Sequence, residues 1–324
     1  MRQPGVAERA QQTSQPLVSI GIPTYQRART IRRAVDSALA QSYANIEVVI
    51  CDDGSNDATE MLCRDLSAQD TRVRYLRSST NLGLAANHNR LFTETRGQYV
   101  MMLCDDDWLE PTYVERCLRE LQAHPDHVLV CGTARYIQEG KQVRSGVAFQ
   151  LAQPDPAERI RAYLRAVDEN GLLYGLMPRT ALLAAAPMRN VLGNDWLLVM
   201  AILSQGKART LQDTAILREL DGTSADFAKL TATLGLPRWQ ARVPHLVLAS
   251  QVLIDIGWRT PLYRNLALSA RARLAMTAAW STIRWRSLAW HMTMPAFAAI
   301  GGRARGGLIW RAYSGLARRL GGGG

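Results

Sequence analysis

The chain has 324 residues, 47% of them hydrophobic, which is enough to bury a full core as one large domain with an appendage or as two domains. Its net charge of +11 sits at one end: from Pro237 onward there are 13 Arg and one acidic residue, Asp255, while residues 1–236 come to about −1. Five scattered cysteines without a CxxC pair argue against a disulfide framework or a zinc site and point to a reducing compartment, and the lack of any run of about 18 apolar residues argues against a transmembrane helix.

Residues 1–15 are polar, lack the apolar stretch of a signal peptide, and read as a flexible tail. Leu17–Ile22 is a short apolar, β-rich run stopped by Pro23. A helix is expected next, with Ile31, Ala34, Val35, Ala38 and Leu39 at three-and-four spacing. Ile46–Cys51 reads as a buried strand ending in Asp52-Asp53-Gly54-Ser55, and Asp57-Ala58-Thr59-Glu60 has the form of a capping box. Val73–Leu76 is a third strand, Asn87–Thr95 a helix, Tyr99–Leu103 a fourth strand, Pro111–Ala123 a helix and Val128–Gly132 a fifth strand. Strand, helix, strand at this spacing predicts an α/β fold, a parallel sheet with helices on both faces, over residues 16–236.

Ligands bind such sheets outside the carboxyl ends of the strands. Four polar clusters fall there: Pro23-Thr24-Tyr25-Gln26-Arg27, Asp52-Asp53, Asn81-Leu82-Gly83 and Asp105-Asp106-Asp107. Taken singly, the first can be a strand stop and the next two can be turns. The aspartate triplet is less easily explained as a turn, because three adjacent carboxylates after an apolar strand repel one another. A hard divalent cation offsets that repulsion, since Mg²⁺ and Mn²⁺ prefer oxygen ligands and share them with substrate phosphates.

The ordered set PTYQR (23–27), VVICDDGSNDAT (48–59), NLGLAANHN (81–89), LCDDDWLEP (103–111) and LGNDW (192–196) resembles the family 2 glycosyltransferases of the GT-A fold, over about residues 16–222. The resemblance implies a Rossmann-like mixed sheet flanked by helices, a nucleotide-sugar donor (a UDP-sugar favoured), a divalent metal and inversion at the anomeric carbon. By the same resemblance Pro23, Thr24 and Tyr25 would border the nucleotide and Asp53 would hold the base, with Asp52 beside it. Asn81 and Gly83 would line the nucleotide pocket, Asp106 would be the main metal ligand flanked by Asp105 and Asp107, and Asp195 would be the general base. Read without the family, Asn194 or Asp195 could simply cap the helix that follows.

The chain departs from the family pattern in three places. Cys104 stands where many relatives have the first Asp of an Asp-x-Asp pair. Asn194-Asp195 replaces a frequent Glu-Asp. The stretch Leu217-Arg218-Glu219-Leu220-Asp221-Gly222 lacks the histidine many relatives use as a metal ligand, a place Asp221 or water could fill.

Residues 237–324 are expected to be a basic helical region holding six of the eight tryptophans. Ile309, Tyr313, Leu316 and Leu320 form an apolar stripe opposite Arg311, Arg318 and Arg319, the pattern of a helix lying in a membrane interface. Arg271–Met292 shows no clean face. An anionic membrane surface, packing on the catalytic domain or an oligomer contact, and nucleic acid are the three readings, taken in that order; no nucleic-acid-binding motif is present. Tail and family together imply a cytoplasmic enzyme, peripheral on the inner face of the cell membrane, acting on a saccharide or lipid-linked acceptor in polysaccharide or glycolipid assembly. The competing classes are a non-catalytic nucleotide-sugar or membrane-binding module and a sugar nucleotidyltransferase. A dinucleotide dehydrogenase is disfavoured because no GxGxxG follows the first strand.

Overall fold

The structure is a computed structural model that describes residues 15–167, 170–219 and 227–299, with side chains described up to residue 283. Most of the predicted tail at 1–15, Asp221 and the amphipathic stretch 309–320 lie outside the described residues.

Four strands, β1 (Val18–Thr24), β2 (Ile46–Asp52), β3 (Val73–Arg77) and β4 (Tyr99–Met102), run parallel in the order β3-β2-β1-β4, and β9 (Met177–Pro178) closes the edge antiparallel to β4. Every residue of β2 is buried, as a parallel strand covered on both faces requires. Alternation assigns its side chains to two cores. Val48 and Ile50 face the cluster that contains Ile31, Val35, Val114 and Leu118, from α1 (Ile31–Leu39) and α4 (Tyr113–Ala123). Val49 and Cys51 face the cluster that contains Leu91 and Phe92 of α3 (Leu84–Glu94) and Leu197 of α7 (Asn194–Leu203). The first helix has the bounds its periodicity predicts.

A second sheet, β5-β10-β6-β7, is mixed. Its long strands β6 (His127–Gln138) and β10 (Lys207–Glu219) pair in parallel, while β5 (Trp108–Leu109), β7 (Lys141–Ser145) and β8 (Gln150–Leu151) add antiparallel pairs. The predicted fifth strand therefore exists but belongs to this second sheet, and it runs six residues beyond Gly132 because β10 continues to pair with it.

Other differences from the predicted elements have local causes. β1 runs through Pro23 to Thr24, because Pro23 lies beyond the last β1–β4 pair, Gly21 with Met102, and so costs no bond to β4. Helix α3 starts at Leu84, three residues before the predicted Asn87, because the Asp53 carboxylate holds the two N–H groups just ahead of it. The capping box before α2 (Thr59–Gln69) is half formed: Asp57 Oδ1 accepts the Thr59 N–H at 3.0 Å, but Glu60 turns to Arg64 at 2.8 Å and Arg77 at 2.9 Å.

Helices α5 (Pro156–Ala166) and α6 (Arg179–Ala185) cover the same face as α7. After α8 (Phe227–Thr233), helices α9 (Pro244–Ile254) and α10 (Leu268–Ala299) pack on each other. Their residues Leu248, Val252, Leu274 and Ala278 join the buried cluster that holds Met188, Leu197 and Leu198.

Candidate active site

Parallel register places Thr24 beside Asp52 and Asp52 beside Arg77, with Met102 level with Gly21. The chain thus leaves β1, β2, β3 and β4 at one edge, and all four polar clusters gather there. Backbone bonds lock the first to the second. The Gln26 N–H donates to Ser55 Oγ at 2.8 Å, the Arg27 N–H to Thr59 Oγ1 at 2.8 Å, and the Asp53 N–H to the Thr24 carbonyl at 2.9 Å. Thr24 is buried, whereas Tyr25 beside it is exposed.

The two aspartates after β2 differ in what they hold. Asp52 is fully buried: its Oδ1 accepts the Ser55 N–H at 2.9 Å and the Ser55 hydroxyl at 2.6 Å, and its Oδ2 accepts the Tyr75 hydroxyl at 2.6 Å. Asp53 reaches the next cluster, where Oδ1 accepts the Leu82 N–H at 2.7 Å and Oδ2 the Gly83 N–H at 2.9 Å. Asn81 Oδ1 also accepts the Gly83 N–H, at 2.9 Å. Asp53 therefore shapes the loop 81–83 that flanks it, and its oxygens keep further lone pairs for a ligand.

In the triplet, Asp105 pairs with Arg27 Nε at 3.2 Å and Asp107 with Arg218 Nε of β10 at 3.1 Å. Burial pushes each carboxyl up to about 7, against the opposing pull of Thr24 and Arg27 on Asp105 and of Arg218 on Asp107. Asp106 is different: no described side chain bonds its carboxylate, and only its backbone carbonyl is engaged, by Arg33 Nη2 at 2.8 Å. Ligand atoms of Cys104, Asp106 and Asp107 lie within 4.8 Å of one another. Burial holds the Cys104 thiol in its neutral form, and its Sγ lies 3.3 Å from the Tyr174 hydroxyl. The donor set thus offers hard carboxylate oxygens with one carboxylate uncommitted, which fits a divalent cation held by Asp106 with Asp107 beside it.

Asp195 lies in the first turn of α7. Gly193 occupies the N-cap in the left-handed region (φ 77°, ψ 22°), so Asn194 and Asp195 are both inside the helix and neither is its cap. Burial raises the Asp195 carboxyl above the usual carboxylate range; Asn170 Nδ2 donates to its Oδ2 at 3.1 Å, and the Trp196 N–H opposes the rise. Asn170 also opens the turn Gly171–Tyr174, whose Tyr174 hydroxyl lies 3.1 Å from Arg218 Nη2. Arg218 lowers the pKa of both Asp107 and Asp195, so its charge acts on the aspartate cluster and on the base candidate alike.

The turn that presents Asp195 is held from outside the sheet. Asn89 of α3 bonds both the N–H and the carbonyl of Met188, at 2.7 and 2.8 Å. Arg189 Nε pairs with buried Asp255 at 2.9 Å, and Asn190 Nδ2 donates to the Leu234 carbonyl at 3.0 Å. Sequence reasoning placed Arg27 in the first polar cluster but gave it no role with Asp105, did not single out Asn170 or Tyr174, and considered the stretch around Arg218 only for its missing histidine. Arg218 had a signal, being the cation in that stretch; Asn170 had none, because only folding brings it to Asp195.

Comparison with known proteins agrees with this architecture. The sequence model of the family described as Glycosyl transferase family 2 matches residues 19–182. Chondroitin synthase from Escherichia coli is 40% identical over 137 residues, 42% of this chain and 20% of that protein. Putative glycosyltransferase EpsH from Bacillus subtilis (strain 168) is 32% identical over 154 residues, 48% of this chain and 43% of that protein. The match thus spans less than half the length of either relative. Among solved structures, S. aureus TarS in complex with UDP-GlcNAc superposes with a TM-score of 0.59 at 12% identity, covering 93% of this chain and 80% of that one. Mannosyltransferase PcManGT from Pyrobaculum calidifontis, in complex with GDP-Man and Mn²⁺, superposes at 0.52 with 17% identity, covering 95% and 88%. These likenesses show the GT-A fold, and the family match covers half of the chain: this protein belongs to the family 2 glycosyltransferases.

Proposed function

We propose that the protein is an inverting glycosyltransferase that moves a sugar from a nucleoside-diphosphate donor, a UDP-sugar, to a hydroxyl of a saccharide or lipid-linked acceptor during cell-surface polysaccharide assembly. The observation that carries this reading is the gathering of Asp53, the 81–83 loop and the 105–107 triplet at one sheet edge, with Asp195 joined to them through Asn170, Tyr174 and Arg218. Chondroitin synthase and hyaluronan synthase among the relatives support the polysaccharide, and UDP-GlcNAc on TarS supports the uridine donor.

In this reading Thr24, Tyr25, Asp53 and the 81–83 loop seat the nucleotide. Asp106 and Asp107 hold Mn²⁺ or Mg²⁺, which when bound supplies a Lewis acid that neutralises the departing diphosphate. Asp195 takes the acceptor proton on Oδ1, because Asn170 occupies Oδ2. Burial suits Asp195 to this task, since a raised pKa makes a carboxylate a stronger base. The acceptor oxygen bonds to the anomeric carbon as the carbon–oxygen bond to the diphosphate breaks, one in-line displacement that inverts the centre.

The arginine-rich region after Pro237 supports a peripheral position on an anionic membrane, and no helix among the described residues is long and apolar enough to cross one. A panel of nucleotide sugars with Mn²⁺, read by hydrolysis and thermal protection, identifies the donor. Asp195→Asn is expected to abolish transfer and spare donor binding, and Asp106→Ala to weaken Mn²⁺-dependent donor binding. Normal transfer by Asp195→Asn refutes the base assignment.

A further inference from the structure

Twelve large apolar side chains stand exposed among the described residues, and seven of them lie between 239 and 280. They follow the helices. On α9, Leu246, Ser250 and Leu253 face outward at i, i+4 and i+7, while Val247, Leu248 and Val252 are buried. On α10, Leu268, Ala272, Met276 and Trp280 face outward at four-residue spacing, while Leu274, Ala275, Ala278 and Ala279 are buried. Trp258, 73% exposed, stands on the turn after α9.

Charge is just as one-sided. Between 237 and 283 the single carboxylate is Asp255, which is 2% exposed and closed off by Arg189 and Thr260. Arg238, Arg242, Arg259, Arg264 and Arg273 are exposed in the same span. The exposed residues of this span therefore combine tryptophan, aliphatic residues and arginine with no exposed acid of their own.

We propose that the outward faces of α9 and α10, with Trp258, form a docking surface for an anionic lipid bilayer. Tryptophan favours the headgroup level, where an apolar ring and a polar N–H are both satisfied, and arginine pairs there with lipid phosphates while its stem stays in apolar surroundings. A second copy docked about a two-fold axis sets arginines against arginines. An acidic soluble partner accounts for the arginines but leaves the leucines, Met276 and the tryptophans without a role. The inference extends the peripheral location proposed above to a named surface, and it is independent of the sugar-transfer reading.

The test uses the full chain, residues 300–324 included. Sedimentation with vesicles of phosphatidylglycerol and phosphatidylcholine is compared with sedimentation on phosphatidylcholine alone. The parent is expected to bind the anionic vesicles at least about tenfold better, with a blue shift in tryptophan emission. The triple substitution Trp258→Ser, Met276→Ser, Trp280→Ser is expected to cut that binding about tenfold or more. Arg259→Gln with Arg264→Gln and Arg273→Gln is expected to cut it as well. All six side chains are exposed, so thermal protection by UDP and Mn²⁺ serves as the folding control and is expected to stay as in the parent. Parent-like sedimentation of the serine variant overturns the proposal. So does binding to soluble polyglutamate as tight as to vesicles, since charge alone then suffices. A dimer seen by light scattering in the parent and lost in the serine variant, with no vesicle binding, assigns the face to a second copy and likewise overturns it.

Discussion

Gly193→Ala tests how the base candidate is held. Gly193 has φ +77°, and a Cβ built there stands 2.3 Å from Leu248 Cδ1 of α9. Two costs follow. The left-handed conformation costs an alanine about 1–2 kcal/mol. Crowding a buried leucine in a filled core costs about 1–3 kcal/mol, because Leu248 must move off its packing. Restricting the unfolded chain returns about 0.4–1 kcal/mol. The expected net loss is about 1–5 kcal/mol, a fall of roughly 0.3–1.5 M in the urea midpoint at a slope of about 3 kcal/mol/M. The strain sits one residue before Asn194 and two before Asp195, so transfer kcat is expected to fall while the donor KM stays near the parent value. Leu248→Ala in the same chain relieves the crowding and leaves the φ cost, so the two substitutions are expected to couple favourably by about 1 kcal/mol or more. A Gly193→Ala protein whose urea midpoint lies within about 0.3 M of the parent, with full kcat, would show that the close approach of α9 does not hold this turn.

Further outcomes are expected at the sheet edge and the tail. Asp53→Ala removes the acceptor of two backbone N–H groups, each bond to a carboxylate worth about 1.5–3 kcal/mol, so the 81–83 loop should loosen and the donor KM rise at least about tenfold; an unchanged donor KM refutes the loop-shaping role. Asp105 and Asp107 titrate near 7 in the fold against an ordinary value of 3.8, so between about pH 4 and 7 the folded state binds more protons than the unfolded chain. Stability without divalent cation is therefore expected to be greatest below pH 4 as far as these two groups are concerned, and to be lost as pH rises through 7. Added Mn²⁺ should flatten that fall in Tm, because a bound cation stabilises the ionised carboxylates. A metal-free Tm whose pH slope is the same in Asp105→Asn/Asp107→Asn as in the parent refutes this. Deleting residues 300–324 is expected to lower binding to anionic liposomes, with high salt mimicking the deletion; unchanged sedimentation refutes a role for that segment.

The sequence by itself determined the parallel strands, α1, and the edge where the polar clusters gather, because each rests on local patterning. A short run as rich in β-branched residues as Ile46–Cys51, closed by Asp-Asp-Gly-Ser, favours a covered strand, and the residues leaving parallel strands must then share one edge. It also fixed the family, through five short motifs in order. Tertiary structure decided what no local pattern encodes. It paired β6 with β10 across 68 residues of intervening chain, started α3 directly after the two N–H groups that Asp53 holds, and committed Asp105 and Asp107 to arginines while leaving the Asp106 carboxylate uncommitted among the described side chains. It also gave residues 271–283, the described part of the stretch Arg271–Met292, a face the helical projection lacked, because Leu274, Ala275, Ala278 and Ala279 are buried while Arg273, Met276 and Trp280 stay exposed. The physical reason is range: patterning reports which side of an element seeks burial, but which partner meets it depends on contacts between residues far apart in the chain.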